Sequence, residues 1–186
     1  STDYVFDGQG SRPYREDDPT APLGVYGASK LAGEDAIRAA GGRHLILRTA
    51  WVYGQHGHNF MKTMLRLGAE RDELRVVADQ VGTPTPAALI ADVTTELLGL
   101  RDAPSGTFHL TPRGETSWHG FAEAILEEAL ALGLIPRAPK VIPIATSDYP
   151  TRARRPGYSR LDIGRLEQVL GRALPEWRTG LQQVLG

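Results

Sequence analysis

Tyr26 and Lys30 stand four residues apart in the stretch Tyr26-Gly27-Ala28-Ser29-Lys30, where a helix is expected to begin. Side chains at i and i+4 share one helical face, so a phenol and an ammonium can point at one small volume. A phenol ordinarily titrates near ~10, and bringing it to neutrality takes about 4 kcal/mol. One cation at ~4 Å, under an effective dielectric of ~20, supplies about that much. A single well-placed lysine is therefore roughly sufficient for Tyr26 to act as a general acid or base. With six tyrosines and three lysines (Lys30, Lys62 and Lys140) in 186 residues, chance gives a Tyr-x-x-x-Lys spacing roughly 0.1 times per chain. The chain uses arginine almost everywhere else, and a retained lysine suits a place where a compact, tunable ammonium matters.

Other residues carry chemistry less exclusively. Thr2 offers a hydroxyl at a strand end, where it serves equally to satisfy a backbone group. Trp51 suits a binding wall or a core, since tryptophan is usually mostly buried. Asp79 and Asp162 read as turn or cap residues. Arg152, Arg154, Arg155 and Arg160 fall within one short stretch and read, by composition, as a solvated loop. His56-Gly57-His58 lacks a nearby carboxylate or cysteine partner, and no metal site is assigned to it.

These residues need elements to position them. Ser1 to Phe6 reads as the tail of a buried strand turned by Asp7-Gly8. Residues 8–23, with Pro13, Pro19 and Pro22 and the acidic run Glu16-Asp17-Asp18, form a long loop of the kind that serves sites. Thr2 and Asp3 lie just before it, and in open α/β sheets ligands sit beyond the carboxyl ends of strands. A helix over 25–40 stops at Gly41-Gly42, and His44–Arg48 is a short apolar strand. Strand, helix and strand at this spacing predict a parallel crossover unit. Asn59 caps a helix over 60–71 with Phe60, Met64 and Leu67 on its apolar stripe. A strand over 74–78, a rigid loop over 79–86 and a helix over 87–100 follow, the helix facing inward through Leu89, Val93, Leu97 and Leu100. Residues 107–111 form another strand, and Ser117 caps a helix over 118–132. A Pro-punctuated stretch over 134–151 holds an extended piece near 141–144. Asp162 caps a helix to about Leu170, and a last helix begins behind Pro175 with Trp177, Leu181 and Val184.

The bulk numbers narrow the function class. A net charge of −1 gives no general basic field, so nucleic acid is not an expected partner. No apolar run approaches the ~20 residues of a membrane span. Zero cysteines exclude disulfides, thiolate catalysis and cysteine metal sites, and fit a cytoplasmic setting. The chain opens without Met, inside an expected strand, so the start of a larger domain is expected upstream of Ser1.

The blocks Ser1-Thr2-Asp3-Tyr4-Val5-Phe6 and Tyr26-Gly27-Ala28-Ser29-Lys30-Leu31-Ala32-Gly33-Glu34 resemble the extended short-chain dehydrogenase/reductases. Within them the chain is similar to the dTDP-4-dehydrorhamnose reductase family. The likeness continues through Arg48–Gly54, Asn59–Met64, Asp79–Thr85 and Arg155–Asp162, in the family's order, over essentially the whole chain. It implies an α/β fold: the C-terminal half of a Rossmann-type doubly wound parallel sheet plus a small mixed α/β substrate-binding domain. Residues 1–58 and 86–112 would form the second half of the dinucleotide-binding domain, and residues 59–85 and 113–186 the nucleotide-sugar-binding domain. The family's Gly-rich dinucleotide loop, which places a pyrophosphate on a helix N-terminus, belongs before Ser1, so the chain holds the second half of the cofactor site.

The resemblance assigns roles. Thr2, Tyr26 and Lys30 match the catalytic set, and Tyr26 and Lys30 also meet the cofactor, NADPH or NADH. Thr2, Asp3 and Trp51 meet the deoxysugar end of the substrate. Asn59, Gln80 and Arg155 line the nucleotide-sugar cleft, with the late arginines available to a diphosphate. The implied reaction reduces the 4-keto group of a dTDP-4-dehydro-6-deoxyhexose, dTDP-4-dehydrorhamnose to dTDP-rhamnose, and the implied partners are that dTDP-deoxysugar and a second copy of the chain in a homodimer. Three alternatives are weighed. A 4,6-dehydratase carries Asp-Glu after the threonine, whereas here Asp3 is followed by Tyr4. A 4-epimerase fits the blocks around Trp51 and Asp79 less well. A non-catalytic regulatory subunit resembling that of methionine adenosyltransferase shares the fold as a binding module.

Overall fold

In the computed structural model, which describes residues 1–151 and 153–186, the helix behind Gly24 is the one the sequence predicts. Helix α1 spans Val25–Ala40 and stops at Gly41 and Gly42, both at positive φ (74° and 78°), where the absence of a Cβ removes the steric cost. Of the four late arginines, Arg152 lies outside the described residues.

The chain then runs β1 (Leu45–Arg48), β2 (Val52–Tyr53), α2 (Phe60–Glu70), β3 (Glu73–Val77), β4 (Val81–Gly82), β5 (Thr85–Pro86) and α3 (Ala87–Gly99). It continues through β6 (Gly106–His109), β7 (Thr116–Ser117), α4 (Trp118–Ala131), β8 (Lys140–Ile144), α5 (Gly164–Leu170) and α6 (Trp177–Leu185). Strand β1 pairs in parallel with β6, from Leu45 opposite Gly106 to Arg48 opposite His109. Its other edge meets Thr2, which bridges Thr49 in parallel. Strand β3 pairs in parallel with β8 over five residues each, and β2 with β5, while β4 and β7 are antiparallel. Parallel pairs joined by helical crossovers are the expected α/β class.

Four expectations are corrected in detail. Beyond Thr2 the N-terminal strand does not continue; Asp3–Val5 form a 3-10 turn, because the Thr2 hydroxyl accepts the Tyr4 N–H and the Phe6 N–H returns to the Asp3 carbonyl. The loop at 79–86 contains β4 and β5, short enough that their pairing leaves no alternating pattern to read. The buried face of α2 is Met61, Met64 and Gly68, with Phe60 and Leu67 at its margins, since Leu126 of α4 presses against Gly68. Helix α5 begins at Gly164 behind Ile163, although the Asp162 carboxylate does take the Gly164 N–H at 2.8 Å.

Apolar side chains gather in separate cores. One lies between β6, α3 and α5, around Val93, Leu97, Phe108, Leu110, Leu166 and Leu174. A larger one joins α2, β3, α4 and α6 around Met64, Val76, Phe121, Ile125 and Leu181. A small third cluster, Val5, Phe6, Tyr14 and Leu161, pins the long 8–23 loop, with Phe6 and Tyr14 stacked at 4.3 Å.

Helix α1 is held differently. Its buried residues are Gly27 and Glu34. Glu34 receives Arg48 of β1 in a two-pronged pair, Nε to Oε1 at 2.9 Å and an Nη to Oε2 at 2.7 Å, with both side chains 2% exposed or less. Arg38 adds a contact at 2.6 Å. Burial alone would raise the Glu34 carboxyl, but hydrogen bonds from Arg48, Ser1 and Arg38 and the Arg48 charge outweigh it and bring it down to about 2. A carboxylate depressed in this way contributes stability that is present above its unfolded value near 4.5 and is lost as pH falls toward 2.

Glu34→Gln leaves Arg48 buried without a counter-charge and should lower unfolding free energy by roughly 3–5 kcal/mol at pH 7. Urea unfolding checks this, and a variant as stable as the parent would contradict the pairing.

Candidate active site

The candidate site begins where the Thr2–Val5 turn rests on the first turn of α1. Gly27 makes that contact possible, because a Cβ there would lie 2.1 Å from the Tyr4 carbonyl oxygen. The approach sets the Tyr26 ring edge-on to Tyr4, with centroids 5.9 Å apart at 89°. Lys30 places its ammonium over the Tyr26 ring, 5.7 Å from its centroid, so the two side chains share one face of the helix. Tyr26 is 55% exposed and Lys30 is exposed as well.

Thr2 and Asp3 lie on the inner side of the same turn, both buried. The Thr2 hydroxyl donates to Asp3 Oδ1 at 2.9 Å and accepts the Tyr4 N–H at 3.2 Å, while Asp3 Oδ2 has no partner of good geometry. Burial pushes the Asp3 carboxyl up to about 6, against the hydroxyls of Ser159 and Thr2, which favour its ionised form. Burial and the Asp3 charge push the Tyr4 phenol up to about 12, an effect opposed by Arg155. Tyr4 thus stays neutral as a wall.

Trp51 stands at the carboxyl side of β1 with φ at 47°. Its ring stacks on Trp118 with centroids 3.7 Å apart and planes 8° off parallel. Trp118 turns toward a hollow of about 650 Å³ that Phe60, Met64, Val77, Gln80, Tyr149 and Arg155 also line. The segment over that hollow is tied down at Thr146. The Asp79 carboxylate takes the Thr146 N–H at 2.9 Å and its hydroxyl at 2.6 Å, and those donors hold the Asp79 carboxyl below its ordinary range. Gln80 adds a bond from Nε2 to the Thr146 hydroxyl at 3.0 Å.

The structure gathers the sequence candidates in three places. Tyr26, Lys30, Thr2 and Asp3 share the α1 junction, and Gln80 and Arg155 share the hollow beside Trp118. Asn59 lines a different hollow of about 660 Å³ with Tyr53, Pro86 and Val184. Its amide is engaged by the chain, with Oδ1 capping α2 at the Lys62 N–H (3.1 Å) and Nδ2 donating to the Gly54 carbonyl (2.8 Å). Among the described residues, no three His, Asp or Glu side chains converge as metal ligands.

Sequence reasoning passed over Trp118, Ser159 and His109. Trp118 reads only as the first residue of a helix, and its partner is 67 positions away. Ser159 lies inside the Arg155–Asp162 block but carries no mark beyond it. His109 is wholly buried, and desolvation aided by the Arg48 charge pulls it down to about 4. Its Nδ1 meets the Asp162 carbonyl at 3.2 Å, so it is a neutral packing residue behind the site.

Comparisons with known proteins place the chain in a family. The family model described as the RmlD substrate binding domain matches residues 1–186. The dTDP-4-dehydrorhamnose reductase of Shigella flexneri is 46% identical over 188 residues, covering 100% of this chain and 63% of that protein. The enzyme of the same name from Burkholderia thailandensis is 50% identical over 187 residues, covering 96% of this chain and 63% of its own length. The chain thus spans somewhat under two thirds of these curated relatives. Among solved structures, dTDP-4-dehydrorhamnose reductase from Bacillus anthracis in complex with NADP superposes with a TM-score of 0.90 at 38% identity, over 99% of this chain and 63% of that one. A dTDP-glucose 4,6-dehydratase from the same organism is 15% identical with a TM-score of 0.75, a likeness of fold alone.

Asp3 generates a pH prediction. A carboxyl raised on folding contributes stability that is complete below its unfolded value near 4 and is lost as pH rises through about 6. The stability advantage of the parent over Asp3→Asn should therefore shrink by up to about 3 kcal/mol between pH 4 and pH 7. Chemical denaturation across that range checks it, and a constant difference would show that Asp3 titrates as it does in the unfolded chain.

Proposed function

This chain belongs to the RmlD substrate binding domain family, and from that premise we propose that it supplies the substrate cleft and the proton donor for reduction of dTDP-4-dehydrorhamnose to dTDP-rhamnose. The observation that carries the reading is the Tyr26–Lys30 pair at the mouth of α1, a phenol with a cation 5.7 Å from its ring, set against the buried Thr2–Asp3 pair. The Bacillus anthracis relative is described with NADP, and NADPH is the proposed donor. Tyr26 and Lys30 fit a nicotinamide nucleotide because both are exposed side by side, with an ammonium free to bond a ribose hydroxyl. When bound, the reduced nicotinamide supplies a hydride to C4 of the sugar.

The chain's own residues do the rest. Tyr26 gives its phenolic proton to the oxygen that gains charge at C4, and Lys30 sets a positive charge beside that phenol. Thr2 helps hold the carbonyl oxygen or the phenol. Asp3 and Trp51 bound the sugar. Gln80 and Arg155 face the hollow where the nucleotide end would lie, and an arginine there suits a diphosphate through charge-assisted bonds. Asn59 contributes by holding the 54–59 loop to α2. The division into a dinucleotide half (1–58 and 86–112) and a sugar-binding part (59–85 and 113–186) follows the two large cores in outline, with Leu166 and Leu174 crossing to the first and Tyr53 to the second. No described helix is long and apolar enough to cross a membrane, and a cytoplasmic setting is proposed on the cysteine-free composition.

In the full-length protein, Tyr26→Phe removes the acid while keeping the ring, and should lower kcat about 10²–10⁴-fold with little change in dTDP affinity. Steady-state oxidation of NADPH in the presence of dTDP-4-dehydrorhamnose measures it. Turnover by the variant at the parental rate would remove Tyr26 from the chemistry, and no turnover by the parent would favour a binding module.

A further inference from the structure

Trp51 adopts a backbone conformation that bulky L residues take only when their surroundings dictate it. Three contacts dictate it here. Its carbonyl accepts the Thr85 N–H at 3.2 Å. Gly82 approaches its indole so closely that a Cβ would lie 2.7 Å from Cε2. Trp118 lies flat on the ring at 3.7 Å. Trp118 is itself rigidly placed. It is the first residue of α4, directly behind the Ser117 cap that accepts the Gly120 N–H at 3.0 Å, and Thr116 before it pairs with Gly82. Its ring also meets Phe60, with centroids 4.7 Å apart, in the wall of the hollow that Gln80 and Arg155 line.

We propose that Trp118 is a positioning residue that holds the Trp51 indole in its left-handed station and joins it to the wall of the neighbouring hollow. The two ends of a long substrate, one against Trp51 and one beside Gln80 and Arg155, are then set by a single rigid aromatic unit. The inference rests on the reading of Trp51 as part of the sugar wall. The stack falls on the one described non-glycine residue at positive φ, which is where a neighbour that fixes the ring also fixes a conformation the backbone would otherwise leave.

The test uses the full-length protein with Trp118→Ala, Trp118→Phe, Trp51→Ala and the double alanine variant. Two indoles stacked face to face couple their transitions, and where their transition dipoles are rotated against each other within the parallel planes the circular dichroism shows an exciton couplet, which Trp118→Ala should abolish and Trp177→Phe leave in place. With dTDP-4-dehydrorhamnose and NADPH, Trp118→Ala and Trp51→Ala should each lower kcat/KM at least about 10-fold, since displacement of a substrate wall by ~1 Å has effects of that size or larger. The double variant should lose no more than the worse single variant, because the two residues act as a unit. Trp118→Phe, which keeps a ring on the indole, should recover most of the loss. Losses that multiply in the double variant, or a couplet that survives Trp118→Ala, would overturn the positioning role while parental turnover leaves the reductase reading standing. A parent with the couplet but no turnover would sink the reductase reading, and with it the role assigned to Trp118.

Discussion

The buried pair of Glu34 and Arg48 fixes where α1 lies, and the candidate site depends on that placement. An ordinary surface helix is held by an apolar stripe against a core. Helix α1 buries Gly27 and Glu34, while Val25 and Ile37 are exposed. Among the described residues it makes two directional contacts, a two-pronged ion pair to β1 and a glycine pressed onto the Tyr4 carbonyl, and Leu31 packs against the cluster of Val5, Phe6, Tyr14 and Leu161. Both directional contacts are intolerant of sliding. A guanidinium fork meets a carboxylate in one geometry, and a helix that shifted along its axis would carry a Cβ into the turn that Gly27 accommodates. The Tyr26–Lys30 pair is thus presented at a defined place by directional contacts farther along the same helix.

A second constraint operates at the other side of the cleft. Gln80 and Asp79 converge on Thr146 and tie the 146–151 segment across the hollow, while the tryptophan stack closes the side toward Trp51. Both devices join residues far apart in the chain: Asp79 with Thr146, and Trp51 with Trp118. Asp3, in the turn against α1, is a buried carboxyl with one oxygen that has no partner of good geometry. Burial pushes it up to about 6, and its other oxygen takes the Thr2 hydroxyl.

Local features were the most legible part of the fold. The C-terminal stop of α1 follows from Gly41-Gly42, and the caps at Asn59 and Ser117 are where short polar side chains precede apolar runs. The parallel bridge of Thr2 with Thr49 at the end of β1 is what the strand, helix and strand spacing predicts, whereas the pairing of β1 with β6 was brought in by the fold. The N-terminal segment misled, because Thr2-Asp3-Tyr4-Val5-Phe6 has the composition of a strand, yet the Thr2 side chain captures the Tyr4 N–H and curls the chain after a single bridge. The stripe on α2 shifted by one residue because the helix that covers it contributes Leu126 at Gly68, a contact that periodicity does not contain. The candidate site was legible to the extent that its residues fall in contiguous blocks. Trp118 and Ser159 were not, since each gains its place only from a partner brought in by the fold.

By itself, the sequence determined the types and local spacing of the chemical groups: a tyrosine and a lysine four apart, a threonine and an aspartate at a strand end, and blocks in the order of a known family. Helical geometry converts that spacing directly into proximity, so Tyr26 and Lys30 needed no tertiary information to be placed together. Only the tertiary structure decided that Asp3 is dry enough to titrate near neutrality, that Asn59 is engaged in holding its own helix, and that Trp51 is held at positive φ by Trp118 and Gly82. Desolvation, competition for hydrogen bonds and backbone strain each depend on which distant atoms crowd a residue, and that crowding exists only once the chain has folded.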